Sequence, residues 1–293
     1  MPIGHAVLIT TRGTLMSSFD RSYDSLEVNY RALDLTRRAL RLRSMGNSAN
    51  AINMLTEALQ LKRQALPGTE YDILDELGYT HLLSGSIDKA VTQFQLAIEL
   101  IEKNYYPDHF KVAPVLDHWA MALISVGQLD KAEVLVKKSL SVKQKSLLPN
   151  DVDVVETSRT LADIQRRLGK FGEAETQLRQ AYRFVADATI GPTEEFDYEF
   201  ALLNHEQGKL EAAEEYYQAA IRTFAHRGGK NHRLASVLRS YAKLLDETHR
   251  RESAANLSAE ADAILSESPS LSRQDIPGAV FFDRDLYAAT IMH

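Results

Sequence analysis

The chain has 293 residues, no cysteine and a formal net charge of −6. Its 44% apolar and 25% charged residues are typical of a globular protein and exclude disorder over most of the chain. The lack of cysteine excludes disulfides, thiolate nucleophiles and cysteine-type zinc or iron–sulfur sites, and the negative charge argues against general nucleic-acid binding.

The amino-terminal segment, residues 1–22, contains one short apolar run, Ala6 to Ile9. A secretion signal needs about 7–15 apolar residues and a membrane-spanning helix about 20, so neither is expected here or elsewhere in the chain. We interpret residues 1–22 as an N-terminal tail, poorly ordered over residues 1–20. The protein is expected to be cytoplasmic.

Residues 23–266 repeat one pattern six times: a glycine, an alanine five positions later, and a second small residue seven positions after that. The first copy reads Gly46, Ala51 and Ala58, and the sixth has His249 in place of the glycine. Another small residue stands seven positions before each glycine place. Such self-similarity is the mark of a repeat architecture. The six glycine places are positions 46, 85, 127, 169, 208 and 249.

Each copy is predicted to form two helices. Glycine favours the left-handed conformation that ends a helix, and alanines seven apart share one helix face, where a second helix can approach closely. Prolines 21 to 23 residues after four of the glycines stop the second helix. We therefore predict an all-α solenoid, a right-handed superhelix of about six helix-turn-helix repeats, followed by residues 267–293 as a C-terminal extension or cap.

This pattern resembles the tetratricopeptide repeat (TPR), and its long unit resembles the kinesin-light-chain subtype of about 42 residues. Segments such as LGKFGEAETQLRQAYRFVADATIGPTEEFD carry the likeness. The resemblance implies that the first helix of each unit lines a concave groove that binds another protein. It therefore implies a scaffold or adaptor in protein–protein interaction, with no cofactor.

The groove-facing positions of the central copies hold eight acids and two bases, so we expect an acidic groove that binds a peptide with a basic segment. Solvated helix faces are the alternative interpretation. Lys and Asn, which clamp a C-terminal carboxylate in chaperone-binding relatives, are absent from the matching positions. The predicted partner-binding residues are Asp75, Tyr79, Asp117, His118, Met121, Arg159, Asp163, Tyr198 and Leu202.

Catalytic and metal-binding motifs fail on inspection. The sequence HEQGK, which starts at His205, begins like a zinc-protease motif but has Lys209 where that motif needs its second histidine, and no phosphate-binding glycine loop is complete. We therefore expect no enzyme activity, no metal site, no nucleic-acid partner and no membrane span. Two other functions stay open: a regulator that senses a peptide, and a structural scaffold that self-assembles through its ends. The oligomeric state is left open.

Overall fold

The computed structural model describes the backbone of residues 6–188, 194–226 and 232–267, and the side chains of residues 25–185, 195–224 and 232–266. That part of the chain contains twelve α-helices and no strand. In chain order they are α1 (Ala6–Ser44), α2 (Ser48–Ala65), α3 (Tyr71–Leu83), α4 (Ile87–Asn104), α5 (Val112–Ser125), α6 (Leu129–Ser146), α7 (Val152–Arg167), α8 (Phe171–Ala188), α9 (Glu194–Glu206), α10 (Leu210–His226), α11 (His232–Glu247) and α12 (Arg251–Glu267).

The glycine places end the odd-numbered helices, as the sequence predicts. Gly46, Gly85, Gly127, Gly169 and Gly208 have φ between 73° and 79°, and His249 has φ 61°. At each place two backbone N–H groups reach back to the helix, for example from Gly46 to the Arg43 carbonyl and from Asn47 to the Leu42 carbonyl. This is the Schellman motif, which satisfies carbonyls that the helix end leaves without partners.

The predicted small residues lie where paired helices touch. Ala51, Ala58, Ala90 and Ala97 are fully buried, and their equivalents in later pairs are buried too. One close approach lies between α3 and α4, where a Cβ added to Gly78 would stand 2.5 Å from the Phe94 ring. These contacts confirm that each repeat is a pair of packed helices.

The chain divides into two compact units between Ala122 and Leu123. Unit 1 holds α1 to α4 and most of α5, with a core that includes Leu55, Ile73 and Phe94. Unit 2 holds α6 to α12. Two apolar clusters in unit 2 run from α7 to α9 and from α9 to α12, and Tyr217 is the largest fully buried side chain of the second. The all-α helix-pair fold predicted from the sequence is confirmed.

The first helix, α1, begins at Ala6 and continues for 39 residues. The tail over residues 1–22 and the poor order over residues 1–20 stay predictions. No proline follows Pro2 until Pro67, so nothing in the sequence stops the first helix before Gly46. The extension after Glu267 and the loop containing Pro192 lie outside the described residues.

Candidate functional site

Tyr79 is an aromatic residue of the expected groove that contacts two neighbouring helices. It lies on α3 in unit 1, between the guanidinium of Arg43, whose Cζ is 4.7 Å from the ring centroid, and the ring of His118, stacked at 4.6 Å. Arg43 is buried and also donates to Glu76 at 2.7 Å. Tyr79 itself stays half-buried, so its position is fixed by neighbours on both α1 and α5.

His118 joins α5 to α3 through a buried ion pair. Its Nδ1 lies 2.8 Å from Asp75 Oδ1, and the histidine side chain is 10% exposed. Burial alone would lower the pKa of His118, but the charge of Asp75 and the hydrogen bond to it, helped by Glu76 and Asp117, raise the pKa above its usual value. The imidazolium form is therefore favoured, and it donates to Asp75.

Two predicted site residues in unit 1 are wrong as surface contacts. Met121 is 0% exposed and Asp117 is 3% exposed, so neither presents its side chain to a partner. Both lie on α5, one turn apart, on the face that packs inward. They lie beneath the surface, whereas Asp75, Tyr79 and His118 contact one another, and the binding role of these three residues stays a prediction.

Arg159 of α7 is also buried, at 3% exposure, and acts as the centre of an ion-pair network in unit 2. Its guanidinium donates to Glu156 at 2.9 Å and to Glu199 at 2.7 Å, and it also pairs with Glu195. Glu195 is in turn paired with Arg233 of α11. Arg159 therefore links α7 to α9 and is not available to a peptide, which corrects its predicted role.

Glu199 is a buried carboxylate of that network, at 5% exposure. Its Oε1 accepts from Arg159 Nε at 3.0 Å, whereas Oε2 has no hydrogen-bond partner among the described residues. Burial, opposed by Arg159 and reinforced by the charges of Asp163 and Glu156, raises the pKa of Glu199 to about 7. The protonated carboxylic acid is therefore well populated near neutral pH.

The remaining predicted residues, Asp163, Tyr198 and Leu202, lie on α7 and α9 of unit 2. Asp163 accepts from Arg166 at 2.5 Å, and Arg166 also pairs with Glu206 of α9. The Tyr198 hydroxyl lies 3.0 Å from Ser240 Oγ on α11, and burial raises the pKa of Tyr198. Leu202 is partly buried against the core cluster. These side chains contact other parts of unit 2 and are only partly exposed.

Sequence reasoning counted the groove acids as free charges, and the structure shows most of them in ion pairs. Two partners of these acids, Arg43 on α1 and Arg233 on α11, lie outside the central copies to which that count was confined. One signal could have found them: opposite charges about one repeat apart, as in Arg159–Glu199, 40 residues apart, and Asp75–His118, 43 apart. The expectation of a strongly acidic groove is thereby reduced to a modest negative excess.

No cofactor or metal site emerges from this arrangement. Among the side chains that the structure describes, no group of three His, Asp or Glu residues is placed to hold a metal ion. None of the described helices is both long and apolar enough to cross a membrane. The chemistry that the first helices offer is ion pairing, hydrogen bonding and aromatic contact.

Comparison with known proteins identifies the repeats. Models of the family described as tetratricopeptide repeat match residues 111–186 and 198–224. No curated protein matches the chain.

Three solved structures illustrate the shared fold. The kinesin-light-chain-like protein of Podosopora anserina, with nearly identical TPR-like repeats, is 18% identical, and the match covers 68% of this chain and 97% of that one with a TM-score of 0.60. BtubC (BKLC) from P. vanneervenii is 14% identical over 83% and 92% of the two chains, with a TM-score of 0.56. The apo form of RapI is 10% identical over 81% and 99%, with a TM-score of 0.63. Residues 111–186 and 198–224 are therefore tetratricopeptide repeats, and the helix pairs of the chain share the fold of the kinesin-light-chain-like repeats.

Proposed function

We propose that this protein is a non-enzymatic scaffold or adaptor that holds a segment of a partner protein against the first helices of its repeats. The tetratricopeptide fold is a protein-interaction scaffold, which supports the general role. Rigid helix pairs supply a surface that is ordered before binding, so little entropy is lost when the partner docks.

The observation that carries the proposal is the ordered stack around Tyr79 in unit 1. The Tyr79 ring is held between Arg43 and His118 and is half-buried. Tyrosine is one of the residue types most often found where binding energy concentrates, because it offers a large rigid contact area. An immobilised tyrosine at this place suits an anchor for a partner side chain.

The charge around this stack favours a basic partner segment. Four carboxylates on α3 and α5 lie in the region of one guanidinium and one imidazolium, and the exposed one among them, Asp72, also lies within the field of the Lys111 ammonium. A paired acid still contributes to the net field, so the region attracts cations although most of its acids are bonded. The four carboxylates belong to Asp72, Asp75, Glu76 and Asp117, and the two cations to Arg43 and His118.

The test is a cross-linked pull-down from native cells with the Tyr79→Ala, Asp72→Lys double variant, read by mass spectrometry. Both side chains reach the surface, so the fold should survive, unlike in Asp117→Arg, which would place a charge in the core. Glu99→Lys on α4 is the matched control, because it makes the same charge change on an exposed second-helix position.

We expect at least one partner to be lost with the double variant and kept with Glu99→Lys. Synthetic fragments of that partner should then bind through a Lys- or Arg-containing segment, more weakly as salt is added. Partners that are unchanged in the double variant would refute the assignment of the first-helix surface.

A further inference from the structure

A second surface of unit 1 exposes aromatic side chains that the first-helix site does not use. Tyr105, Tyr106 and Phe110 lie between the end of α4 and the start of α5 and are 44%, 56% and 56% exposed. With Tyr71 at the start of α3 and the buried His109, they form what we term the aromatic platform. Large apolar side chains that are exposed next to one another often mark an interaction site, whereas single exposed ones do not.

The aromatic platform is ordered by contacts among its own rings. His109 lies in its centre, with ring centroids at 4.2 Å from Tyr105, 4.5 Å from Phe110 and 5.0 Å from Tyr106. The hydroxyls of Tyr71 and Tyr105 lie 3.2 Å apart, which ties the loop to α3. Rings held in this way lose little freedom when a ligand covers them.

A single ammonium group lies at the edge of the aromatic platform. Lys111 Nζ donates to the Tyr71 hydroxyl at 2.6 Å and is 4.6 Å from the Tyr71 ring centroid and 5.6 Å from that of Tyr105. Within the described side chains no carboxylate lies within 4.0 Å of this ammonium, and the charge of Asp72 acts on it only from a longer distance. Aromatic faces attract the cation but do not neutralise it, so the ammonium can still pair with an anion on a partner.

We propose that the aromatic platform is a second docking surface, which binds an extended proline-rich segment carrying a carboxylate. Proline rings pack flat on aromatic side chains, and the polyproline helix is already extended before binding, so its ordering cost is small. The carboxylate would pair with Lys111. A lipid surface fits less well, because it requires a cluster of about four or more basic residues.

The test is selection of a random peptide library displayed on phage against the full chain. Selection runs in parallel on the Tyr106→Ser, Phe110→Ser double variant and on Leu148→Ser, a control that removes a 71% exposed apolar side chain from unit 2. We expect binders enriched in proline and in Asp or Glu from the wild type and the control. Their affinity for the double variant should fall by about tenfold or more, with an unchanged thermal unfolding curve.

Two further variants separate the parts of the proposal. Lys111→Met should remove the preference for Asp and Glu while proline enrichment persists, and an unchanged preference would overturn the role of the ammonium. Tyr79→Ala should leave the selected peptides bound, which keeps this surface independent of the first-helix site. Binders without proline, binding insensitive to the double variant, or a concentration-dependent mass that the double variant abolishes would each overturn the proposal, the last in favour of a second copy of the chain.

Discussion

His249 holds a position that glycine holds in the other five helix pairs. Its φ of 61° lies in the left-handed region, which costs a residue with a Cβ about 1 kcal/mol or more. The side chain is exposed, so its loss removes little packing. The backbone N–H of His249 nevertheless donates to the Asp246 carbonyl, as the N–H groups of the glycines do to theirs. The turn thus forms in spite of the residue.

We expect His249→Gly to raise the free energy of unfolding by about 0.5–1 kcal/mol, because the relief of strain exceeds the added freedom of the unfolded chain. The matched variant is Gly208→Ala, where a new Cβ would have nothing within 4 Å, so the cost reports the backbone alone. Urea unfolding of both variants is the measurement. A loss of stability in His249→Gly would show that the imidazole makes a contact worth more than the strain.

At the scale of the helix pair, the elements follow from the sequence because their causes are local. Glycine places, alanine spacing and prolines all act within one repeat, and they locate the turns at Gly85 and Gly127 correctly. The site depends on contacts between repeats, which no single helix encodes. Arg159 looked like a surface charge on α7, but three glutamates from α7 and α9 surround it.

Met121 is an apolar residue whose burial likewise could not be predicted from its own repeat. Its offset within the repeat matches that of Tyr79, which is half-buried, yet Met121 is fully buried. A repeat pattern gives the direction in which a side chain points, and the neighbouring elements decide how much water reaches it. The 39-residue length of α1 escaped prediction for a related reason, since the six-copy pattern begins only near its second half.

The contact between α3 and α4 provides a prediction about packing. In Gly78→Ala the new Cβ would lie 2.5 Å from Phe94 Cε1, and Phe94 is fully buried, so the ring cannot move aside freely. We expect a loss of about 1–3 kcal/mol in the free energy of unfolding, the usual cost of overpacking.

The second variant, Phe94→Leu, makes this prediction decisive. Combined with Gly78→Ala, the smaller side chain should cost less than the sum of the two single changes, because it removes the atoms that clash. Additive losses in a double-mutant cycle by urea unfolding would show that Gly78 matters for a reason other than its approach to Phe94.

At the scale of the whole molecule, three buried ionisable groups set how stability depends on pH. The pKa of Glu133 is lowered to about 2, because its interactions with Lys137, Lys170 and Gln165 outweigh the effect of burial. The stability that Glu133 contributes is therefore complete above pH 4.5 and is lost as the pH falls towards 2. The pKa of His118 is raised, so the stability that His118 contributes is complete below pH 6.5 and is lost as the pH rises through the pKa of the folded state. Both signs follow from the state that binds the proton more tightly.

Glu199, like His118, makes the stability of the protein fall as the pH rises. Its pKa rises from 4.5 to about 7 on folding, so the native state holds the proton more tightly and stability falls as pH increases across that window. The difference amounts to roughly 3 kcal/mol at most. Together the three shifts favour stability on the mildly acidic side of neutral pH, where Glu133 is ionised and Glu199 and His118 are protonated.

The pH profile of Glu199→Gln provides the test. Glutamine keeps an oxygen that can accept from Arg159 but has no proton to lose, so the decline between 4.5 and about 7 should flatten and the maximum should move towards neutral pH. Glu211→Gln, which changes an exposed carboxyl on α10, should leave the profile unchanged. Free energies of unfolding in urea, measured from pH 4 to pH 9, give the curve. A Glu199→Gln profile that parallels the wild type would mean that Glu199 is ionised in the folded protein throughout this range, with Arg159 compensating its burial in full.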